Sequence, residues 1–165
     1  MENTDLDEIW FVLSPSNPLK NKRNLLNERQ RYYMLNIAIE DDTRFRASDI
    51  ELKLPQPSYT CYTLVHLSEK YPNKEFVLLM GEDNWNSIEK WKNYTYILEN
   101  HYIYVYPRDN DNVTKKHPHA VFVDAPKLEI SATMIRNSIK NRKKIQYLLP
   151  SKVEKYIDEM GVYLS

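Results

Sequence analysis

The chain has 165 residues, the length of one domain with a real core, and its 23 basic side chains balance 23 acidic ones. That balance leaves no electrostatic footprint for nucleic acid or an anionic membrane, and no apolar run reaches the length of a membrane span. Cys61 is the only cysteine, which excludes an internal disulfide and favours a cytoplasmic setting. Met1 to Glu8 is acidic and polar, unlike a secretory signal, and two glycines, Gly81 and Gly161, cannot build GxGxxG or a P-loop.

Ile9-Trp10-Phe11-Val12-Leu13 is a short continuous apolar run, the pattern of a strand buried on both faces. Ser14 to Lys20, with Pro15 and Pro18, breaks it into a loop at the strand's carboxyl end. From about Asn24 to Glu40, Leu26, Tyr33, Met34, Ile37 and Ala38 follow helical spacing. Arg44 to Ile50 alternates imperfectly as a short strand. Leu54 to Ser58 is extended, because each proline biases its predecessor away from helix.

A helix is expected from Thr60 to Lys70, stopping before Pro72. Phe76 to Met80 is the second buried-strand run, closed by Gly81. Broken helix should occupy Asn84 to Asn100, with Trp85, Ile88, Trp91, Ile97 and Leu98 as inward anchors. Tyr102 to Tyr106 is a third strand ended by Pro107, Asp109 to Pro118 an exposed loop, and Ala120 to Val123 a further strand. Ser151-Lys152-Val153-Glu154 reads as a capping box, with Val153, Tyr156, Ile157 and Met160 on one face and Gly161 as C-cap. Alternating strands and helices argue for α/β with a parallel sheet, whose ligands bind beyond the carboxyl ends of the strands.

Ile130 to Arg136 stands at such an end. Ser131 is a good N-cap, Thr133 and Arg136 share a helix face, and a hydroxyl, free amides and a guanidinium together suit phosphate. On spacing alone, a capped surface helix with one solvated arginine is the simpler reading. Trp91 fits a core position as well as a stacking one, and Arg108 fits a solvated loop. Thr60, Thr63 and Asn17 can each be explained by capping or turn formation. His66 reads as a packed helix residue, Cys61 as a small buried hydrophobe, and His117 and His119 are assigned no metal.

Taken together, Ser14-Pro-x-Asn17-Pro18-x-Lys20, Ser58-Tyr59-Thr60-x-x-Thr63-Leu64, Gly81-x-Asp83, Trp91, Pro107-Arg108 and Ile130-Ser131-x-Thr133-x-Ile135-Arg136 are similar, in order and spacing, to bacterial nicotinate-nucleotide adenylyltransferases. The tail, Tyr147-Leu148-Leu149-Pro150 with Val153 and Tyr156-Ile157, resembles theirs too. The resemblance implies a Rossmann-like nucleotidyltransferase fold, a parallel sheet flanked by helices. It implies adenylyl transfer from ATP to nicotinate mononucleotide, giving deamido-NAD and pyrophosphate in NAD biosynthesis. Trp91 would stack on the nicotinate ring, and amides near Thr60 and just after Trp91 would meet its carboxylate. Asp83 would face a ribose or phosphate region, Arg108 the mononucleotide phosphate, and Asn17 and Lys20 the mouth of that site. Ser131, Thr133 and Arg136 would hold the ATP phosphates, with Arg136 stabilising charge in the transition state. Mg2+ would arrive with the nucleotide, and no protein metal site is implied.

Two departures stand out. Leu19 replaces a histidine common in the family, and nothing here resembles its opening strand and G-x-F-x-P-x-H-x-G-H segment, which precedes the point where this chain begins. The resemblance therefore implies a single domain over 1–165, truncated at its N-terminus and lacking the first, central strand, with weak or no activity as it stands. The alternative is a non-catalytic nucleotide-binding remnant of the same fold. A nucleic-acid domain built on Arg29, Arg31 and Lys140 to Lys144 fits poorly with the neutral total. Loss of a central strand leaves two unpaired edges and exposed apolar surface. The 165-residue chain expressed alone is then expected to be weakly stable or to associate through those edges; a cooperative unfolding transition from a monomer, by sedimentation and thermal melting, would contradict this.

Overall fold

The computed structural model describes residues 1–15, 26–107, 116–126 and 128–164. Its strands are β1 (Ile9–Val12), β2 (Phe45–Ser48), β3 (Leu78–Gly81), β4 (Ile103–Tyr106) and β5 (Ala120–Phe122). Its α-helices are α1 (Glu28–Ile39), α2 (Thr60–Lys70), α3 (Glu82–Trp85), α4 (Tyr94–Asn100), α5 (Ala132–Lys140) and α6 (Ser151–Met160), with 3-10 turns at Ile50–Lys53 and Ile88–Lys90. The chain divides into two compact units, one taking the described parts of 1–6 and 53–128, the other those of 7–52 and 129–165. Among the described residues no helix is long and apolar enough to cross a membrane.

In the unit formed by 7–52 and 129–165, β1 and β2 are parallel, with Ile9 opposite Phe45 and Val12 opposite Ser48. Parallel neighbours need a crossover, which α1 supplies. Asn27 starts that helix, its side-chain oxygen accepting the Gln30 N–H at 2.9 Å. The core here joins Ile135 and Ile139 of α5 to Ile145, Val153 and Ile157 of α6, and Val162, with Met34, Ile37 and Ala38 of α1 packed against them. Gly161 ends α6 in the left-handed region (φ 59°), returning its N–H to the Ile157 carbonyl.

The expected capping box does not form. Pro150 holds the N-cap position, and its carbonyl accepts the Val153 and Glu154 N–H groups at 2.9 and 3.1 Å. The helix thus begins one residue early, and Ser151 is already inside it. Met160, placed on the buried face by its spacing, is 56% exposed; the buried positions of α6 are Val153 and Ile157.

In the other unit, β3, β4 and β5 form a parallel sheet in that order, with Leu78 opposite Ile103 and Ile103 opposite Ala120. Central β4 is buried along Ile103, Tyr104 and Val105. Around it pack Cys61 and Leu64 of α2, Met80 of β3, and Trp85, Ile88 and Ile97, three of the five expected anchors. Trp91 and Leu98 are half-buried against the same cluster. The expected break in helix over 84–100 occurs where Asn93 adopts φ 51° between the 3-10 turn and α4.

Neither β1 nor β3 is buried on both faces as its apolar run suggests. Phe11 is 40% and Leu79 39% exposed, and both strands lie at the edge of their sheets; in β3, Leu78 and Met80 face the core while Leu79 points away from it. The N-terminal residues are tied to the three-stranded sheet: the Tyr104 hydroxyl donates to the Asp5 carboxylate at 2.5 Å, and the Asn3 amide donates to the Asp124 carbonyl. The Asp5 bond, reinforced by burial, pushes the Tyr104 pKa up to about 12. Its protonated form is therefore favoured by folding, so its stabilisation is complete below pH 10 and is lost as pH rises toward 12. Tyr104→Phe should cost about 1 to 2 kcal/mol at neutral pH, with the gap from wild type closing between pH 10 and 12 in denaturant unfolding.

Candidate active site

α5 is built as the sequence indicates. Ser131 is extended (φ −125°, ψ 148°), and its hydroxyl accepts the Met134 N–H at 3.1 Å. The Ser131 carbonyl takes the Ile135 N–H at 3.0 Å, so the Ala132 and Thr133 amides stand outside the intrahelical ladder. Buried Ile135 and Ile139 pin the helix while Ser131 to Thr133 remain exposed. Arg136 Nη2 donates to Thr133 Oγ1 at 3.2 Å, confirming the shared face. Arg31 of α1 donates to the Ser14 and Pro15 carbonyls at 2.7 and 3.4 Å, fixing the chain just past β1. Half-buried Tyr163 feels both guanidiniums: burial pushes its pKa up, and Arg136 and Arg31 oppose that shift. The amides, hydroxyls and guanidinium at this helix start can together bind an anion.

In the three-stranded unit, buried Gly81 ends β3 and Glu82 follows it, only 3% exposed, while Asp83 points outward. Ser87 Oγ donates to the Asp83 carbonyl at 3.1 Å. Trp91 closes the 3-10 turn through its N–H to Ile88 O at 2.9 Å and leaves in extended conformation. Thr60 opens α2. The residue before it, Tyr59, gives no side-chain cap, and its carbonyl accepts the Tyr62 and Thr63 N–H groups at 2.9 and 3.1 Å. The Thr60 and Cys61 amides are thus the uncapped start of the helix. Over this corner lies Lys92, its ammonium 4.6 Å from the Tyr59 ring centroid and 5.1 Å from that of Tyr62. Its bond to the Tyr62 side chain raises the Lys92 pKa, so it is a cation throughout the neutral range.

The structure thus brings Ser131, Thr133 and Arg136 together in one unit, and in the other sets Lys92, the neighbour of Trp91, against the Tyr59 and Tyr62 rings on either side of Thr60. Asp83 is a separate exposed position in the latter. Asn17, Lys20 and Arg108 lie outside the described residues. Cys61 is 1% exposed, and burial pushes its thiol pKa up, as befits a packing residue rather than a nucleophile. His66, expected to be packed, is exposed: Cys61, Thr63, Leu64 and Leu67 take the buried face of α2, and His66 bonds the Tyr62 carbonyl at 2.8 Å. His119 Nδ1 bonds the Leu98 carbonyl at 2.7 Å. Among the described residues no three or more His, Cys, Asp or Glu side chains are grouped to hold a metal ion.

The cytidylyltransferase-like family matches residues 1–138. A protein of Flavobacterium johnsoniae named probable nicotinate-nucleotide adenylyltransferase is 58% identical over 166 aligned positions, covering 98% of this chain and 86% of the relative. Its namesake in Flavobacterium psychrophilum is 55% identical with the same coverage. The chain belongs to the nicotinate-nucleotide adenylyltransferase family. Its fold agrees: Plasmodium falciparum nicotinic acid mononucleotide adenylyltransferase, solved in complex with NaAD, matches with a TM-score of 0.76 at 20% identity, over 95% of this chain and 82% of that one. In this nicotinate-nucleotide adenylyltransferase family member, the cap of α5 is legible from its motif, whereas the Lys92 side chain over Tyr59 and Tyr62 and the Arg31 bonds to Ser14 and Pro15 are not. Lys92 follows Trp91 directly, and that adjacency was the available signal; Arg31 bonds backbone carbonyls, which no spacing rule marks. Ser131→Ala should lower stability by about 1 kcal/mol, and Ser131→Asp should leave it nearly unchanged, as measured by denaturant unfolding.

Proposed function

We propose that this chain transfers the adenylyl group of ATP to nicotinate mononucleotide, releasing pyrophosphate and forming deamido-NAD, as a cytoplasmic step of NAD biosynthesis. The observation that carries this reading is the start of α5, where Ser131, Thr133, Arg136 and two free amides gather on one exposed turn. In this reading they hold the ATP phosphates. Mg2+ travels with the nucleotide as part of that substrate and shields its phosphate charge. Trp91 offers an aromatic face to the electron-poor pyridine ring, with Thr60 beside it and Asp83 toward ribose or phosphate. Arg108 is assigned the mononucleotide phosphate, and Asn17 and Lys20 the mouth of that site, by family resemblance.

The reaction is an in-line attack by a mononucleotide phosphate oxygen on the α-phosphorus of ATP. The new P–O bond replaces the bond to pyrophosphate, which leaves with its electron pair. Positioning and charge stabilisation accomplish this without a protein nucleophile. Arg136 and the α5 amides are placed to stabilise phosphate charge as it redistributes.

Calorimetry with each substrate, combined with an assay of pyrophosphate release, tests the proposal. Binding of both substrates with pyrophosphate release supports it; mononucleotide binding without ATP binding or release supports a non-catalytic module instead. Arg136→Gln should reduce kcat/KM for ATP by roughly 100-fold. Trp91→Ala should raise KM for the mononucleotide by about tenfold with a smaller change in kcat.

A further inference from the structure

The basic run Lys140 to Lys144 has no part in the reaction proposed above, and neither has Tyr147, which follows it closely. Between Glu129 and Glu154 the chain carries no acidic residue, although its total charge is zero. Lys140, Arg142, Lys143 and Lys144 are exposed and form no ion pair among the described residues. The segment is nevertheless firmly held. The Arg142 N–H donates to the Ile139 carbonyl and the Lys143 N–H to the Ser138 carbonyl, both at 2.8 Å. Buried Ile145 anchors the loop in the core, and the Leu148 N–H closes on the Ile145 carbonyl at 2.9 Å. Arg142 (φ 53°) and Tyr147 (φ 68°) are left-handed, where glycine or asparagine would suit the backbone better. Tyr147 is also 89% exposed, so its ring gains little from the core.

A ring that stands out from the surface does not line a small-molecule cleft. Tyrosine and arginine on one firm loop instead match the side chains that dominate protein interfaces. Nucleic acid fits less well, because a neutral chain lacks the broad positive field that a polyanion requires. We propose that the loop from Lys140 to Tyr147 is a docking surface for a short acidic segment of a partner protein, with Tyr147 as its apolar anchor. Carboxylates of that segment meet cations that no acidic neighbour neutralises, while an apolar side chain packs on the Tyr147 ring. The held loop loses little conformational freedom on binding.

Fluorescence anisotropy of the full chain with a labelled peptide, Glu-Glu-Leu-Trp-Glu-Glu, tests this. The peptide should bind, and salt should weaken the binding. Lys143→Glu and Tyr147→Ala should each weaken it by about tenfold. Lys155→Glu, with the same change of charge as Lys143→Glu, should leave it within about twofold. Tyr147→Gly should unfold at the same denaturant concentration as wild type or a higher one; a lower one makes the ring structural and overturns its role as anchor. Absence of peptide binding, or an equal loss in Lys155→Glu, overturns the docking surface. Tighter binding of a single-stranded oligonucleotide of the same charge, lost in the same variants, assigns the loop to nucleic acid and overturns the proposal as well.

Discussion

Every strand pair among the described residues is parallel, and that constraint organises the rest. A parallel ladder cannot be closed by a tight turn, so each strand is followed by a helix or a long connection before the next begins. Within either sheet, all strands then leave by the same end. Ser14 and Pro15 follow β1, and Gly81, Glu82 and Asp83 stand at the close of β3. Ser14, Glu82 and Asp83 put polar side chains just past the last paired residues of β1 and β3. The core is correspondingly simple: central β4 is buried along Ile103 to Val105, and the helices need only one apolar face each.

Two helix starts show how the same backbone problem receives different answers. At α5 the protein supplies its own cap, Ser131 Oγ taking the Met134 amide, and leaves the amides before it exposed next to Arg136. At α2 there is no side-chain cap, because tyrosine cannot fold its hydroxyl back onto its own helix. Positive charge is supplied there from a different segment, by Lys92 across the Tyr59 and Tyr62 rings. One arrangement is made by local sequence and the other by tertiary packing.

That difference explains what could be read from the chain beforehand. The bounds of α2, the cap of α5 and the anchors Trp85, Ile88 and Ile97 were all legible, because each depends on a few neighbouring residues. The burial of β1 and β3 was not. A continuous apolar run shows that a strand can be covered twice, but Phe11 and Leu79 show that cover also depends on which strands stand beside it. The Ser151 capping box failed for a subtler reason: Pro150, with its fixed backbone, began α6 one residue early.

The same point bears on charge. Equal numbers of acidic and basic residues give no broad positive field of the kind that binding a polyanion needs. They do not argue against phosphates or carboxylates of small molecules, which need only one or two well-placed cations. Some of the positive charge is cancelled close at hand: Arg44 meets Asp42 at 2.7 Å and holds that carboxyl at a pKa of about 2, and Lys152 meets two carboxylates. Among the described residues, Arg31 bonds carbonyls, Arg136 a hydroxyl and Lys92 two aromatic faces, none of which removes a charge. Neutral overall and locally uncompensated is the electrostatic pattern that small anionic substrates require, because it attracts them at chosen points without holding longer polyanions along the surface.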